Sequence, residues 1–395
     1  MSYPIIRLKE KKEANVAFRH PWVFSGALDG KPDAEHGDLI TLADRKGDVL
    51  ATATYSTKSS IAARVFALGD VVIDQAWFVK RFQEADAARH ILGYGPKTDT
   101  TGYRVIFGES DGVPGLVVDR YDDVLVIQVS TAGIEKLKEA VLDALTEVFK
   151  PRAIVERSDI SARKDEGLKD FVGVLHGEVD APVAFKEHGL KFEADVLTGQ
   201  KTGFFLDQKE LRLKIQELAK DRTVLNVFSY TGASGVYALK GGAELVHNVD
   251  SSASALAGCL RHAELNKLDL KSFTTEEVDA FQYLAKDGES FDMVLLDPPA
   301  LIKSRTDAEE GKKAYHFLNR AAMRRVRDGG IFVTSSCSHF MPEEDLAFTL
   351  RRASVQNEVI LDCLGTFRQA ADHPLSVYFP EAQYLKSYIF RVRKA

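Results

Sequence analysis

The chain has 395 residues, 45% hydrophobic and 28% charged, which suits a folded protein of two or three domains. Its net charge of −6 argues against a protein that coats nucleic acid non-specifically, yet leaves room for a local basic face. No apolar run approaches the ~20 residues that span a bilayer, the start MSYPIIRLKEKKE has no signal-like apolar core, and the three cysteines show no paired spacing for disulfides or a metal; the expected compartment is the cytoplasm.

Residues 1–69 read as strand-rich, with strands at Ile5–Leu8, Asp38–Ala43, Val49–Tyr55 and Ala62–Ala67. Lys9–Phe18 reads as a short basic helix, and Arg7–Arg19 carries five basic and two acidic residues. Trp22 and Phe24 read as core, the alternative being an aromatic platform for a base. HPWVFSGAL, then GDLITL, then a strand pair resembles a PUA domain, a small β-barrel that binds structured RNA.

Residues 70–188 read as an α+β connector. A helix at Asp74–Leu92 is followed by strands at Arg104–Glu109, Leu116–Asp119 and Val124–Val129, a helix at Ile134–Phe149 and a strand at Ala153–Glu156. DGVPG (Asp111–Gly115) has strong turn chemistry. Glu156, Arg157 and Asp159 read as a solvated loop.

Residues 189–395 read as an alternating α/β unit. Gly189–Val196 reads as a strand leading into TGQKTGFFLDQ, where Gln200, Lys201, Phe204 and Asp207 are candidates for a lid over a ligand. The helix Lys209–Ala219 follows. Then VLNVFSYTGASGVYALKGGAELVHNVD (Val224–Asp250) reads strand, small-residue turn, helix, strand, acid. A parallel βαβ unit brings such a turn and such an acid to the carboxyl edge of its sheet, where ligands bind. An ordinary crossover would look the same over this stretch alone. The turn lacks the G-x-G-x-x-G of a pyrophosphate site, which disfavours a nicotinamide enzyme. Its polar loop, Asn226, Phe228, Ser229, Tyr230, Thr231, Gly232 and Ser234, resembles the first motif of class I S-adenosylmethionine (SAM) methyltransferases. In that pattern Asp250, with Ser251 behind it, accepts the ribose hydroxyls, and the acid after the third strand, Asp279 before Ala280, faces the adenine amino group.

Further along, Ala253–Leu265 reads as helix, Phe273–Glu276 as strand, and Met293–Leu296 as a strand stopped by Asp297, Pro298 and Pro299. Lys303–Arg327 holds eight basic and three acidic residues; a helix is expected over Ala308–Arg327, ended by Gly329-Gly330, with a nucleic-acid face on it. Ile331–Thr334 reads as a strand ending in SSCSH. A helix at Pro342–Ala353 and an antiparallel strand pair at Val359–Leu364 and Leu385–Val392 complete seven strands.

Carbon 5 of cytosine is too weak a nucleophile to take a methyl group unaided. A thiolate adding to carbon 6 makes carbon 5 enamine-like, and an acid at ring nitrogen 3 stabilises the developing charge. Cys337 and Asp297 meet that need if the fourth and fifth strands are neighbours. Cys259, on a predicted helix, and Cys363, in a predicted strand, read as core.

HPWVFSGAL, TGFFLDQ, NVFSYTGASG, the Asp250 strand end, LDPPA and TSSCS together resemble the PUA-fused class I SAM-dependent rRNA large-subunit cytosine-C5 methyltransferases, along the whole chain. The resemblance implies an N-terminal PUA-like β-barrel domain (1–69), a small α+β middle domain (70–188) and a seven-stranded Rossmann-like methyltransferase domain (189–395). It implies Cys337 and Asp297 as catalytic residues and SAM as cofactor. The cofactor contacts it implies lie at Gln200, Phe204, the 226–234 turn, Asp250, Ser251, Asp279, Ala280, Asp297 and Pro298. The expected partner is large-subunit rRNA, with a homodimer as a further expectation. Many wider RNA cytosine-C5 methyltransferases carry a second Cys directly after the two prolines; this chain has Ala300 there. Two alternatives stay open: an RNA amino-methyltransferase acting on guanine N2 or adenine N6, and a non-catalytic RNA-binding assembly factor.

Overall fold

The computed structural model describes residues 3–395. The chain divides into two compact units. One holds the residues up to Gly189, together with Glu193–Leu206 and Ala371–Ala382; the other holds Leu190–Phe192, Asp207–Ala370 and Gln383–Ala395.

In the first unit a six-stranded sheet runs in spatial order Trp22–Phe24, Ile61–Leu68, Val49–Tyr55, Leu39–Ala43, Ile5–Leu8, Leu28–Asp29. Ile6, Leu8, Ile40, Leu42, Ala51 and Ala53 close its interior. The expected basic helix shrinks to Ala14–Ala17. Lys11 is left-handed (φ 65°) and the Lys12 N–H closes a turn onto the Lys9 carbonyl, so helical dihedrals cannot extend back to Lys9. Trp22 and Phe24 are not core. Phe24 is 47% exposed, while half-buried Trp22 donates its indole N–H to Glu109 (2.8 Å) and meets Phe379 edge-on.

The same unit contains a five-stranded sheet, Val172–Gly177, Ala153–Arg157, Val124–Val129, Leu116–Tyr121, Gly102–Phe107 in spatial order. Helices Gln75–Ile91 and Lys138–Phe149 share one apolar core with it. The helix expected at Ile134–Phe149 is split, because Leu137 leaves helical dihedrals between Ala132–Lys136 and Lys138–Phe149. Glu156 and Arg157 are buried strand residues, not a solvated loop. Glu156 is balanced by Lys138 (3.0 Å) and Arg163 (3.8 Å), and Arg157 grips Asp159 (3.1 Å). Burying such charges is tolerable only because they are paired.

The second unit is an α/β sheet of seven strands. We label them β1 (Thr223–Val227), β2 (Leu245–Asp250), β3 (Phe273–Glu277), β4 (Phe291–Leu296), β5 (Val326–Ser336), β6 (Val359–Phe367) and β7 (Lys386–Lys394). The helices are α1 (Lys209–Leu218), α2 (Ala233–Lys240), α3 (Ala253–Leu265), α4 (Ala280–Ala285), α5 (Ala308–Met323) and α6 (Glu343–Gln356). The spatial order is β3-β2-β1-β4-β5-β7-β6, parallel from β3 to β5, with β7 antiparallel to β5 and β6 antiparallel to β7. Strand β1 is central and nearly all buried, as expected of a parallel strand covered on both faces.

Helix α5 stops at Met323, four residues short of its expected end, and the glycine pair does not end it. Val326 already pairs with Phe291 in the sheet, so the chain must turn at Arg324–Arg325. Gly329 (φ 76°) and Gly330 instead bend the long strand β5; a Cβ on Gly330 would stand 2.9 Å from the Asp292 carbonyl oxygen. Cys363 is exposed, contrary to its reading as core, because β6 is the edge strand. Among the described residues no helix is long and apolar enough to cross a membrane.

Candidate active site

The parallel register aligns the carboxyl ends of β3, β2, β1, β4 and β5. Val227 pairs with Val249 and with Leu296, and Leu296 pairs with Thr334. One residue further on, the edge reads Glu277, Asp250, Phe228, Asp297 and Ser335, with Cys337 two residues beyond. At about 4.8 Å per strand, β4 and β5 are immediate neighbours and β2 lies about 14 Å from β5. The fourth and fifth strands are therefore adjacent, as the reading of Cys337 with Asp297 requires.

The turn after β1 is tightly wound. Phe228 (φ 60°), Tyr230 (φ 48°) and Gly232 (φ 72°) are all left-handed. For Phe228 and Tyr230 that conformation costs about 1–2 kcal/mol each. Polar bonds hold it. The Tyr230 N–H donates to Asp250 Oδ2 (2.8 Å), and His262 Nδ1 must carry a proton to bond the Thr231 carbonyl (2.8 Å). Gly232 allows close packing from α3: a Cβ there would stand 2.0 Å from Cys259 Sγ. Burial, then the Asp250 charge, pushes the Cys259 thiol far above its ordinary range, so this cysteine is inert packing. Ser229 and Gly232 are buried, while Phe228, Tyr230, Thr231 and Ser234 are half-buried. Asn226 lies lower in β1, its amide donating to Asn248 (2.9 Å).

Asp250 receives the Ser252 N–H (3.0 Å) as well as that of Tyr230. Ser251 is exposed beside it. Exposed Asp279 caps α4 by accepting the Gln282 N–H (3.0 Å), and Ala280 behind it is buried. Phe228 meets Phe281 edge-on, and Phe281 stacks on Phe317.

Asp297 is half-buried, backed by buried Pro298. Its Oδ2 accepts the Gln208 side-chain amide at 2.7 Å. Asp207, the candidate named from the sequence, is buried and takes the Tyr384 hydroxyl (2.5 Å); its neighbour Gln208 is the one that reaches the D-P-P acid. Nothing in local spacing singles out Gln208, since its role depends on the approach of a segment 89 residues away.

Cys337 is partly exposed, at the start of a loop pinned from two sides. Tyr315 of α5 bonds the hydroxyls of Ser336 and Ser338 (both 2.9 Å), and Lys386 of β7 donates to the carbonyls of Ser338 (2.9 Å) and Met341 (2.7 Å). Gln200 and Phe204 belong to the first unit, where Gln200 is exposed and Phe204 packs edge-on against Phe185.

A PUA-like domain model matches residues 6–68, and an S-adenosylmethionine-dependent methyltransferase model matches residues 167–346. A ribosomal RNA large subunit methyltransferase I from Vibrio vulnificus (strain YJ016) is 39% identical over 396 residues, covering 98% of this chain and 99% of the relative. The chain belongs to the ribosomal RNA large subunit methyltransferase I family. The fold of this family member also matches a solved SAM-dependent methyltransferase chain from Streptococcus mutans, with TM-score 0.83, 22% identity, and 98% and 100% of the two chains covered. A solved methyltransferase complexed with SAH gives TM-score 0.83 at 21% identity, with 99% and 100% covered.

SAM is the cofactor of this methyltransferase I family member, and the residues present fit it. A carboxylate offers about four lone-pair positions. Asp250 spends one each on Tyr230 and Ser252, leaving the two that a ribose diol needs. The wound turn beside it presents backbone at close range, which is where strained dihedrals gather in functional sites.

Three of the eight cations of the basic stretch Lys303–Arg327 pair with acids within the protein. Lys312 pairs with Asp345 (2.9 Å), Lys313 with Glu310 (2.7 Å) and Arg327 with Asp292 (2.8 Å). Arg325 is buried over the Tyr283 ring and donates to the Glu289 carbonyl (2.6 Å). It cannot serve an RNA face. Lys303, Arg305 and Arg324 stay exposed.

Proposed function

We propose that the protein methylates carbon 5 of a cytosine in large-subunit rRNA through a covalent bond to Cys337. The reading is carried by one observation: Leu296 and Thr334 pair in register, so Asp297 and Cys337 follow neighbouring strand ends on the edge that bears the Asp250 turn. The relatives' names, ribosomal RNA large subunit methyltransferase I, support the substrate class. Arg19 lying over the Tyr378 ring and exposed Phe18 and Phe24 support RNA contact by the first unit.

In this reading Asp250 takes the ribose, the Phe228–Ser234 turn takes the methionine end, and Asp279 meets the adenine amino group. Bound SAM would supply an electrophilic methyl group, its sulfur keeping the electron pair of the S–CH3 bond that breaks on transfer. The target cytosine leaves its stack to enter the site. The Cys337 thiolate adds to carbon 6, forming the S–C6 bond, while Asp297 gives a proton to nitrogen 3. The electron pair thus delivered to carbon 5 forms the bond to the methyl group. Loss of the carbon-5 proton to a base then restores the ring double bond, nitrogen 3 returns its proton to Asp297, and the S–C6 bond breaks to release the thiolate.

RNA carrying 5-fluorocytosine at the target tests this, because fluorine cannot leave as a proton. The expected result is an RNA–protein adduct that needs SAM and maps to Cys337 by mass spectrometry. Full methyl transfer by Cys337→Ala, or a crosslink at another residue, would overturn the covalent reading and favour an amino-methyltransferase.

A further inference from the structure

Lys386 opens β7 and stands opposite Ser336 in the antiparallel register, one residue before Cys337. It is 7% exposed. An ammonium group carries three N–H donors. Two of them go to the carbonyls of Ser338 and Met341, both in the loop that Cys337 opens. The other side of that loop is tied to the Tyr315 hydroxyl, so the ammonium and the sulfur sit on one immobilised frame. Among the described residues Lys386 makes no ion pair with a carboxylate.

A buried cation needs a counter-charge. The charges that act on Lys386 are those of Cys337 and, from α6, Glu343. Glu343 is already engaged by the Tyr388 hydroxyl (3.1 Å) and by Arg368 (3.6 Å). The Tyr315 hydroxyl, which also feels Cys337, is spent on the two serines. Of Cys337 and Glu343, the sulfur of Cys337 is the one on the loop that Lys386 holds, and its ionisation would help neutralise the buried ammonium. Burial pushes the Lys386 amine below its ordinary range, while the negative charges of Cys337 and then Glu343 pull it upward. Such coupling is reciprocal, so the cation favours the thiolate by as much as the thiolate favours the cation.

We propose that Lys386 is a positioning residue for the nucleophile: its tethered ammonium fixes the Cys337 loop and supplies the positive charge against which the sulfur is held as thiolate. The inference rests on the reading of Cys337 as the attacking group, and it is tested without methyl transfer.

Iodoacetamide alkylation of Cys337 is followed against pH by peptide mass spectrometry. The background is Cys363→Ala, since Cys363 is exposed and Cys259 is buried. Lys386→Met should move the half-maximal rate upward by at least about one pH unit, a roughly tenfold slower alkylation at neutral pH. Lys386→Arg should restore most of it. A folded Lys386→Met chain with an unchanged profile overturns the proposal, as does an equal shift in Lys386→Arg, which would trace the effect to loop packing. If Lys386→Met does not fold, the parent profile decides: a Cys337 half-point at or above the ordinary thiol range of about 8.5 overturns it, and a lower one supports it. Full methyl transfer by Cys337→Ala would sink the nucleophile reading while leaving the alkylation shift standing, so the two failures are distinguishable.

Discussion

Replacing Asp250 by alanine separates the two jobs of that carboxylate. Inside the protein it accepts the N–H groups of Tyr230 and Ser252, which hold a turn containing two left-handed non-glycine residues. Losing those bonds should cost about 1–2 kcal/mol, since each net bond contributes roughly 1 kcal/mol and the exposed edge lets water replace part of it. For a unit of this size that is a fall of about 2–8 °C in the Tm of the ligand-free chain. Toward SAM the carboxylate offers two further bonds of about 1.5–3 kcal/mol each. Losing one should weaken SAM binding at least about tenfold, and losing both more than about a hundredfold. Asp250→Asn keeps one carbonyl oxygen for the Tyr230 N–H but drops the charge. It should recover at most about half of the Tm loss, since its NH2 cannot accept the Ser252 N–H, while SAM affinity stays about tenfold down, because charge-assisted bonds are roughly twice as strong. Thermal unfolding without ligand reads the first effect, and calorimetric titration with SAM reads the second. A folded Asp250→Ala chain that binds SAM with unchanged affinity would refute the assignment of the ribose to this edge.

Two further outcomes are expected. Gln208→Ala frees the Asp297 oxygen that Gln208 now holds at 2.7 Å; single-turnover methyl transfer should slow about ten- to a hundredfold while SAM affinity changes little, and a full-speed variant would show that Asp297 is aligned without it. Charge reversal at Lys303, Arg305 and Arg324 should weaken RNA binding and flatten its salt dependence by about 2–3 in slope, at ~0.7–0.9 per phosphate contact, whereas reversal at the already paired Lys312 and Lys313 should not; an unchanged slope in the first set would put the phosphate path elsewhere.

The sequence by itself determined the architecture of the catalytic half. Apolar β-prone runs, a small-residue turn, an acid at the end of the next strand and prolines after the fourth are all local signals. They mark strands, a close turn and strand ends with no need of a partner. The adjacency of the strands that lead to Asp297 and Cys337 could be anticipated because parallel α/β connectivity leaves few strand orders. The burial of Cys259 was legible too, from its place on a predicted helix. What tertiary structure alone decided are the features created by contact between distant segments. Gln208 finds Asp297 across 89 residues, and Lys386 finds the Cys337 loop across 48. His262 braces the Thr231 carbonyl from the next helix. Arg325 looks like any basic helix residue until the start of β5 pulls it inward, and Cys363 looks like core until β6 proves to be an edge. Glu156 looks like a solvated acid until the neighbouring helices deliver Lys138 and Arg163 as counter-charges, and Arg157 is buried with Asp159 as its partner. The physical reason is common to all of them. Backbone propensity and periodicity act over a few residues, whereas the burial of a charge, and the partner that makes its burial tolerable, depend on which surfaces the folded chain brings together.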